Sequence, residues 1–184
     1  MKKILIVVLV VVVLLVFYVW TGYNNFVKAN EGVTNQWAQV ETQYQRRLDL
    51  IPNLVNSVKG IMAQEQKVFG DLAEARTRYS GALSVEDKVN AANQVETSLG
   101  RLLAVMENYP QLKSAENVQT LMVQLEGTEN RISVERGRYN NNVRDFNIMA
   151  KRFPSSLIAA MFGFKEKSYF QASQGAENAP NVAF

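Results

Sequence analysis

Residues 33–62 read VTNQWAQVETQYQRRLDLIPNLVNSVKGIM. Apolar side chains recur here every three or four residues, which is the spacing of one face of an α-helix, whereas the alternation typical of a strand is absent. Because the spacing continues across Pro52, this proline either kinks one helix or reverses the chain. The apolar positions are Val33, Trp37, Val40, Tyr44, Leu48, Ile51, Val55, Val58 and Met62.

Two later stretches, residues 89–106 and 114–153, repeat the helical spacing, and an aromatic–proline pair follows or ends each of them. Between the first and second stretches, Gly81 is suited to ending a helix and Ser84 to beginning the next one. The sequence therefore predicts an all-α fold, with an antiparallel up-down four-helix bundle after an N-terminal transmembrane helix. A long kinked helical hairpin is the alternative.

Residues 4–20 contain no charge and no amide, and 15 of these 17 residues are Ile, Leu, Val or Phe. On the insertion scale such a run favours the bilayer by roughly 6 kcal/mol. A cleaved signal peptide is the competing interpretation, but it needs small residues where this chain has Trp20 and Tyr23. We therefore expect an uncleaved anchor at residues 1–22, a helical body at residues 23–170 and a flexible tail at residues 171–184.

Charge near the anchor predicts the orientation of the chain. Lys2 and Lys3 precede the apolar run, whereas only Lys28, offset by Glu31, follows it closely. The positive-inside rule then places the N-terminus in the cytoplasm and the body outside the inner membrane of the cell.

The composition excludes several kinds of chemistry. The chain has no Cys and no His, so thiol nucleophiles, imidazole bases and the usual zinc sites are absent. Its 20 Lys and Arg face 17 Asp and Glu, and Lys2 and Lys3 supply most of the excess, so the body is nearly neutral and has no electrostatic footprint for nucleic acid. We expect no cofactor.

The candidate chemical site is a set of charged residues on two stretches of predicted helix. Carboxylates facing each other could hold a metal ion or act as acid and base, but helical di-iron bundles need a Glu-x-x-His motif that this chain lacks. The favoured interpretation is a structural ion-pair network between helices, with no catalytic and no metal-binding role. The set comprises Arg46, Arg47, Asp49, Glu126, Glu129 and Arg131.

Two further features stand out. Asn140, Asn141 and Asn142 interrupt a predicted helix, and we expect them to face solvent, the alternatives being a bulge or a side-chain network directed at the first helix. The segment after residue 152 is rich in aromatic and basic residues, so it either contacts a membrane surface or a partner, or closes the end of the bundle. Its apolar members are Phe153, Leu157, Met161, Phe162, Phe164 and Phe170.

Charge is also unevenly distributed along the body. Residues 86–135 carry eight acids and four bases, whereas residues 136–167 carry seven bases and two acids. The asymmetry favours complementary faces, either between neighbouring helices or between copies of the protein.

Several segments in order resemble the LemA family of bacterial membrane proteins. They are residues 23–27 (YNNFV), 37–41 (WAQVE), 45–55 (QRRLDLIPNLV), 109–113 (YPQLK), 128–132 (TENRI), 139–140 (YN), 153–154 (FP), 163–164 (GF) and 169–170 (YF). The resemblance covers almost the whole chain. It implies a single-pass protein with an antiparallel helical bundle and no established enzymatic activity, often encoded near membrane proteins that include a membrane zinc metalloprotease.

Three functions follow from this sequence. The leading hypothesis is a non-catalytic membrane-anchored scaffold or adaptor whose partners are envelope proteins, with a membrane metalloprotease or a second copy of the chain as candidates. The alternative is a lipid-contacting protein that organises the membrane through its C-terminal segment. An enzyme is the third, and the missing histidines, cysteines and glycine-rich phosphate loop leave it little room.

Overall fold

The computed structural model describes residues 1–170, without the side chain of Lys113. In that part of the chain every regular element is a helix, which confirms the predicted all-α fold. The helices are α1 (Lys2–Val58), α2 (Gln66–Gly81), α3 (Val85–Met106), α4 (Pro110–Lys113), α5 (Glu116–Lys151) and α6 (Ser155–Phe162). The up-down four-helix arrangement stays a prediction, and the predicted tail lies outside the described residues.

Pro52 lies inside α1, so it does not reverse the chain. The helix continues to Val58, and residues 59–65 then form turns that lead into α2. Met62 is fully buried within these turns. Its burial explains why the apolar spacing of the sequence runs on beyond the end of the helix.

The described chain divides into two compact units. Unit 1 consists of Met1–Val40 and Glu135–Tyr169, and unit 2 consists of Glu41–Val134 together with Phe170. The helix α1 continues without a break past residue 22. The expected limits of anchor and body therefore stay a prediction.

Unit 1 is built by packing the first part of α1 against α5. The rings of Phe26 and Phe146 meet edge to face with centroids 5.9 Å apart, and those of Trp37 and Tyr139 at 5.6 Å. Such pairs contribute about 0.5–1.5 kcal/mol each beyond the burial of their area. All four side chains are buried, so Trp37 is a core residue.

The asparagine run belongs partly to this packing. Asn142 donates a hydrogen bond from Nδ2 to the carbonyl oxygen of Gly32 on α1, at 3.1 Å. Asn141 is exposed. The expectation that the run faces solvent is therefore wrong for Asn142, because its amide replaces water at a helix–helix contact.

Unit 2 contains the remainder of α1, the helices α2, α3 and α4, and the first part of α5. As predicted, Ser84 caps α3, and its Oγ accepts a hydrogen bond from the backbone N–H of Asp87 at 3.0 Å. The α2–α3 pair buries small and apolar side chains at helical spacing. They are Leu72, Ala75 and Tyr79 from α2 and Ala91, Ala92, Val95, Leu99, Leu102 and Met106 from α3.

Candidate functional site

The centre of unit 2 holds a buried cation. Arg47 is 1% exposed, and its Nη1 donates to Oε2 of Glu129 on α5. The guanidinium carbon lies 5.2 Å from the centroid of the Tyr44 ring, within the range of a cation–π contact. Of the predicted ion-pair set, Arg47 and Glu129 are the two residues that the structure brings together.

The other four residues of the set lie on the surface. Asp49 accepts a hydrogen bond from Nε2 of Gln45, one helical turn earlier, at 2.9 Å. The remaining three are exposed, and within the described part of the chain they form no ion pair; they are Arg46, Glu126 and Arg131. The helical period explains this split, because neighbours on a helix point about 100° apart and only Arg47 falls on the buried stripe.

Arg47 is only partly satisfied by its partner. Its Nε and Nη2 are buried without a hydrogen-bond partner among residues 1–170. An arginine side chain does not lose its proton in proteins, so the charge stays in the core. Glu129 is 43% exposed, so the arginine of this pair is buried whereas the carboxylate is accessible to water.

Tyr79 borders the same cluster, although the sequence analysis did not single it out. Its ring centroid is 5.6 Å from that of Tyr44, and its hydroxyl group is buried without a partner among the described residues. Burial raises the pKa of Tyr79, the negative charge of Glu41 raises it further, and the positive charge of Arg47 acts in the opposite direction. The tyrosine therefore stays neutral at physiological pH.

This arrangement links α1 to α5 through one ion pair. Arg47 already engages the carboxylate of Glu129. In residues 1–170 no group of three or more acidic, His or Cys side chains is arranged to hold a metal ion. The ion pair therefore supports a structural role, which stays a prediction.

The predicted C-terminal segment is divided between core and surface. Phe164 stacks on Phe26 with centroids 4.8 Å apart, and Phe170 is 6% exposed and stacks on Tyr44 at 6.5 Å. These two aromatic residues close the packing of unit 1 and unit 2, respectively. The other four members are exposed; they are Phe153, Leu157, Met161 and Phe162.

Asn147, which sequence reasoning missed, fixes the backbone that follows α6. Its amide makes two hydrogen bonds to Lys167, accepting from the backbone N–H at 2.8 Å and donating to the carbonyl oxygen at 2.9 Å. Tyr139 donates to the carbonyl oxygen of Ser168 at 3.4 Å. The available signal was a polar residue next to Phe146 on the apolar face of a predicted helix.

The helix α1 is, by length and composition, able to cross a membrane, and its apolar part is exposed except at Val19, which is half-buried. This helix, together with the all-helical packing of the described residues, is typical of a membrane-associated helical protein. The sequence profile of the LemA family matches residues 36–184. The chain belongs to the LemA family.

Similar proteins include magnetosome proteins of two bacteria. Magnetosome proteins MamQ 1 and MamQ 2 of Paramagnetospirillum magneticum are each 29% identical to this chain over 175 residues, which covers 81% of the chain and 64% of the relative. Magnetosome protein MamQ of Magnetospirillum gryphiswaldense is 26% identical over 174 residues, covering 80% and 64%. The chain thus spans less than two thirds of the length of these relatives.

Proposed function

We propose that this protein is a non-catalytic, single-pass scaffold that presents a helical surface to other proteins of the cell envelope. The anchor holds the body at the membrane, and the ion pair between Arg47 and Glu129 supports a fixed register of α1 against α5 within unit 2. The relatives are named for the magnetosome and not for a reaction, which supports a role in an assembly.

The observation that supports this proposal is the exposed apolar surface at the α2–α3 turn of unit 2, which comprises residues 82–84 and the start of α3. Leu83 is 96% exposed there, the highest value for a large apolar side chain of the described residues after Met1, and Val85 is 42% exposed. Beside them lies a surface depression of about 520 Å³ with Arg78, Asp87, Asn90 and Gln94 in its lining. Apolar patches rimmed by polar residues mark protein–protein contact sites, and we propose that Leu83 and Val85 form the apolar part of such a patch.

Crosslinking in living cells tests the proposal. A photoreactive amino acid replaces Leu83 in the full chain, and the matched control carries the same group at Thr77, an exposed polar position on α2. We expect position 83 to capture a defined envelope protein that position 77 does not capture. A second probe at Val85 should lose the same product when Leu83→Asp is added, while the thermal unfolding midpoint stays unchanged.

Three results would contradict the proposal. The first is no product at position 83, and the second is the same products at both positions. The third is capture of this chain alone, which would assign the turn to self-association instead of an adaptor role.

A further inference from the structure

We propose that α6 lies in the headgroup region of the same bilayer that the apolar part of α1 crosses, with one face inserted into lipid. The ligand class is therefore a phospholipid surface. The proposal concerns unit 1 alone and does not depend on which protein the α2–α3 turn contacts.

The helix α6 is apolar on both sides. Its eight residues, SSLIAAMF, carry no charge. Ile158 and Ala159 are buried inside unit 1, whereas Leu157 and Met161, one turn apart on the outer side, are 61% and 67% exposed. A helix that is hydrophobic all round is typical of a protein core or a membrane, not of an aqueous surface. The exposed outer face of α6 therefore has no apolar surroundings within the described residues, and lipid would supply them.

The contacts of α6 place it at the end of the apolar run of α1. A Cβ atom on Gly22 would lie 2.2 Å from Cδ1 of Ile158, so the absence of a side chain at Gly22 allows this close approach. The ring of Phe162 lies 4.8 Å from that of Tyr23, measured between centroids. Aromatic residues at the end of an apolar span mark the membrane–water interface, and α6 packs on one of them, Tyr23.

The corner between α5 and α6, residues 152–154, lies near Tyr18, which is one helical turn before Gly22 on α1. Tyr18 shares the lining of a depression of about 320 Å³ with Ile148, Arg152 and Phe153. Phe153 is 75% exposed. The exposed apolar surface of the corner is thus continuous with the exposed apolar surface of the anchor, and one bilayer can cover both.

Basic residues flank α6 on both sides. Arg152 precedes it and Lys165 follows it, and both are exposed. Lys151 is also exposed and pairs with Glu166 at 2.8 Å. Long basic side chains keep their charge in the headgroup region while their stems cover apolar surface, and they are attracted to anionic phosphates. The distribution of charge therefore matches a helix that lies flat on anionic lipid.

The absence of cysteine from the chain makes a direct measurement simple. Full-length Leu157→Cys and Met161→Cys variants carry an environment-sensitive fluorophore and are reconstituted into vesicles of phosphatidylethanolamine and phosphatidylglycerol. The matched control is Val123→Cys on α5 in unit 2, which is 68% exposed. Lipids with spin labels at the headgroup or along the acyl chain report the depth of each fluorophore, and aqueous iodide reports its exposure to water.

We expect the fluorophores at positions 157 and 161 to lie about 5–10 Å inside the headgroup boundary, the depth of an interfacial helix. The fluorophore at position 123 should be quenched by iodide and not by the lipids. Equal thermal unfolding midpoints for the three labelled proteins show that each retains its fold. Iodide quenching at 157 and 161 that equals the control would overturn the proposal. So would shielding from both quenchers, because a protein surface or a second copy would then cover α6.

Discussion

Arg47 is a charged residue in the core of unit 2. Its charge is buried, and Glu129 provides its one ion pair in the described residues. Removing one partner of a buried pair leaves an uncompensated charge in the core, whereas replacing both partners removes the burial problem with the pair. The two kinds of substitution therefore have different consequences for stability.

We expect Glu129→Ala to lower the free energy of unfolding by about 1–4 kcal/mol, because it strands Arg47. The double variant Arg47→Met/Glu129→Ala should lose less than the sum of the two single losses, because the residues share one interaction. Urea denaturation of the parent, Arg47→Met, Glu129→Ala and the double variant measures the coupling free energy between the two residues. Arg46→Ala is the control, since this exposed neighbour should change stability by less than about 0.5 kcal/mol. Strictly additive losses would refute the network.

Tyr79 allows a second prediction at this scale, because its buried hydroxyl group has no partner among the described residues. Tyr79→Phe should leave stability unchanged or raise it by up to about 1 kcal/mol at neutral pH, since no hydrogen bond is lost.

The same residue predicts a loss of stability at alkaline pH. The pKa of Tyr79 is raised in the folded state, mainly by burial. The stability that neutral Tyr79 contributes is therefore fully present below the usual tyrosine pKa of about 10. It is lost as the pH rises above that value, because the unfolded chain releases the proton first. Urea denaturation at pH 8 and above pH 10 should show a smaller alkaline loss for Tyr79→Phe than for the parent. Tyr169→Phe, at an exposed position, is the control. An equal loss in all three proteins would contradict the assignment.

At the scale of the element, α1 passes through Pro52 without ending. Proline in a helix interior lacks the N–H donor and is about 3 kcal/mol less favourable than alanine, although it also restricts the unfolded chain by about 1 kcal/mol. We therefore expect Pro52→Ala to raise the free energy of unfolding by about 1–2 kcal/mol. Denaturation monitored by circular dichroism checks this, with Asn53→Ala as the exposed control. A clear loss of stability would show that the helix needs a proline-specific geometry.

The helical faces were predictable because their period is local. Val33, Trp37, Val40, Tyr44 and Leu48 are all buried as the spacing requires. The end of α1 was not predictable, because Met62 continues the helical spacing of apolar residues although it lies in the turns after the helix. Only the packing against other helices distinguishes these two cases.

The candidate site was predictable in part for the same reason. Arg47 lies three residues after Tyr44 and four before Ile51, so the spacing alone marks it as a charge on the apolar stripe. Its pairing with Glu129 and the approach of Tyr79 depend on contacts between distant segments, which no local pattern encodes. The role of Asn147 was missed because a helical period does not tell which polar group meets the backbone of residue 167.

At the scale of the whole molecule, basic residues that are distant from the anchor in the sequence lie near its body-side end in the structure. Arg152 and Lys165 flank α6, which packs on Gly22 and Tyr23. The positive-inside rule counts charges within about 15–20 residues of the span along the chain, because long domains cross regardless of their charge. These distant residues therefore do not weaken the bias set by Lys2 and Lys3.

We accordingly expect the body to lie outside the cytoplasm. A Thr97→Cys variant, exposed on α3 in a chain without cysteine, should react with a membrane-impermeant maleimide in cells whose outer barrier is opened and whose inner membrane is intact. Lys2→Glu/Lys3→Glu should reduce the labelled fraction, because the positive side chains before the span are then replaced by negative ones. A cytoplasmic protein with one exposed cysteine serves as the control for membrane integrity. Labelling of position 97 only after the inner membrane is disrupted would reverse the orientation and move the proposed scaffold surface to the cytoplasm.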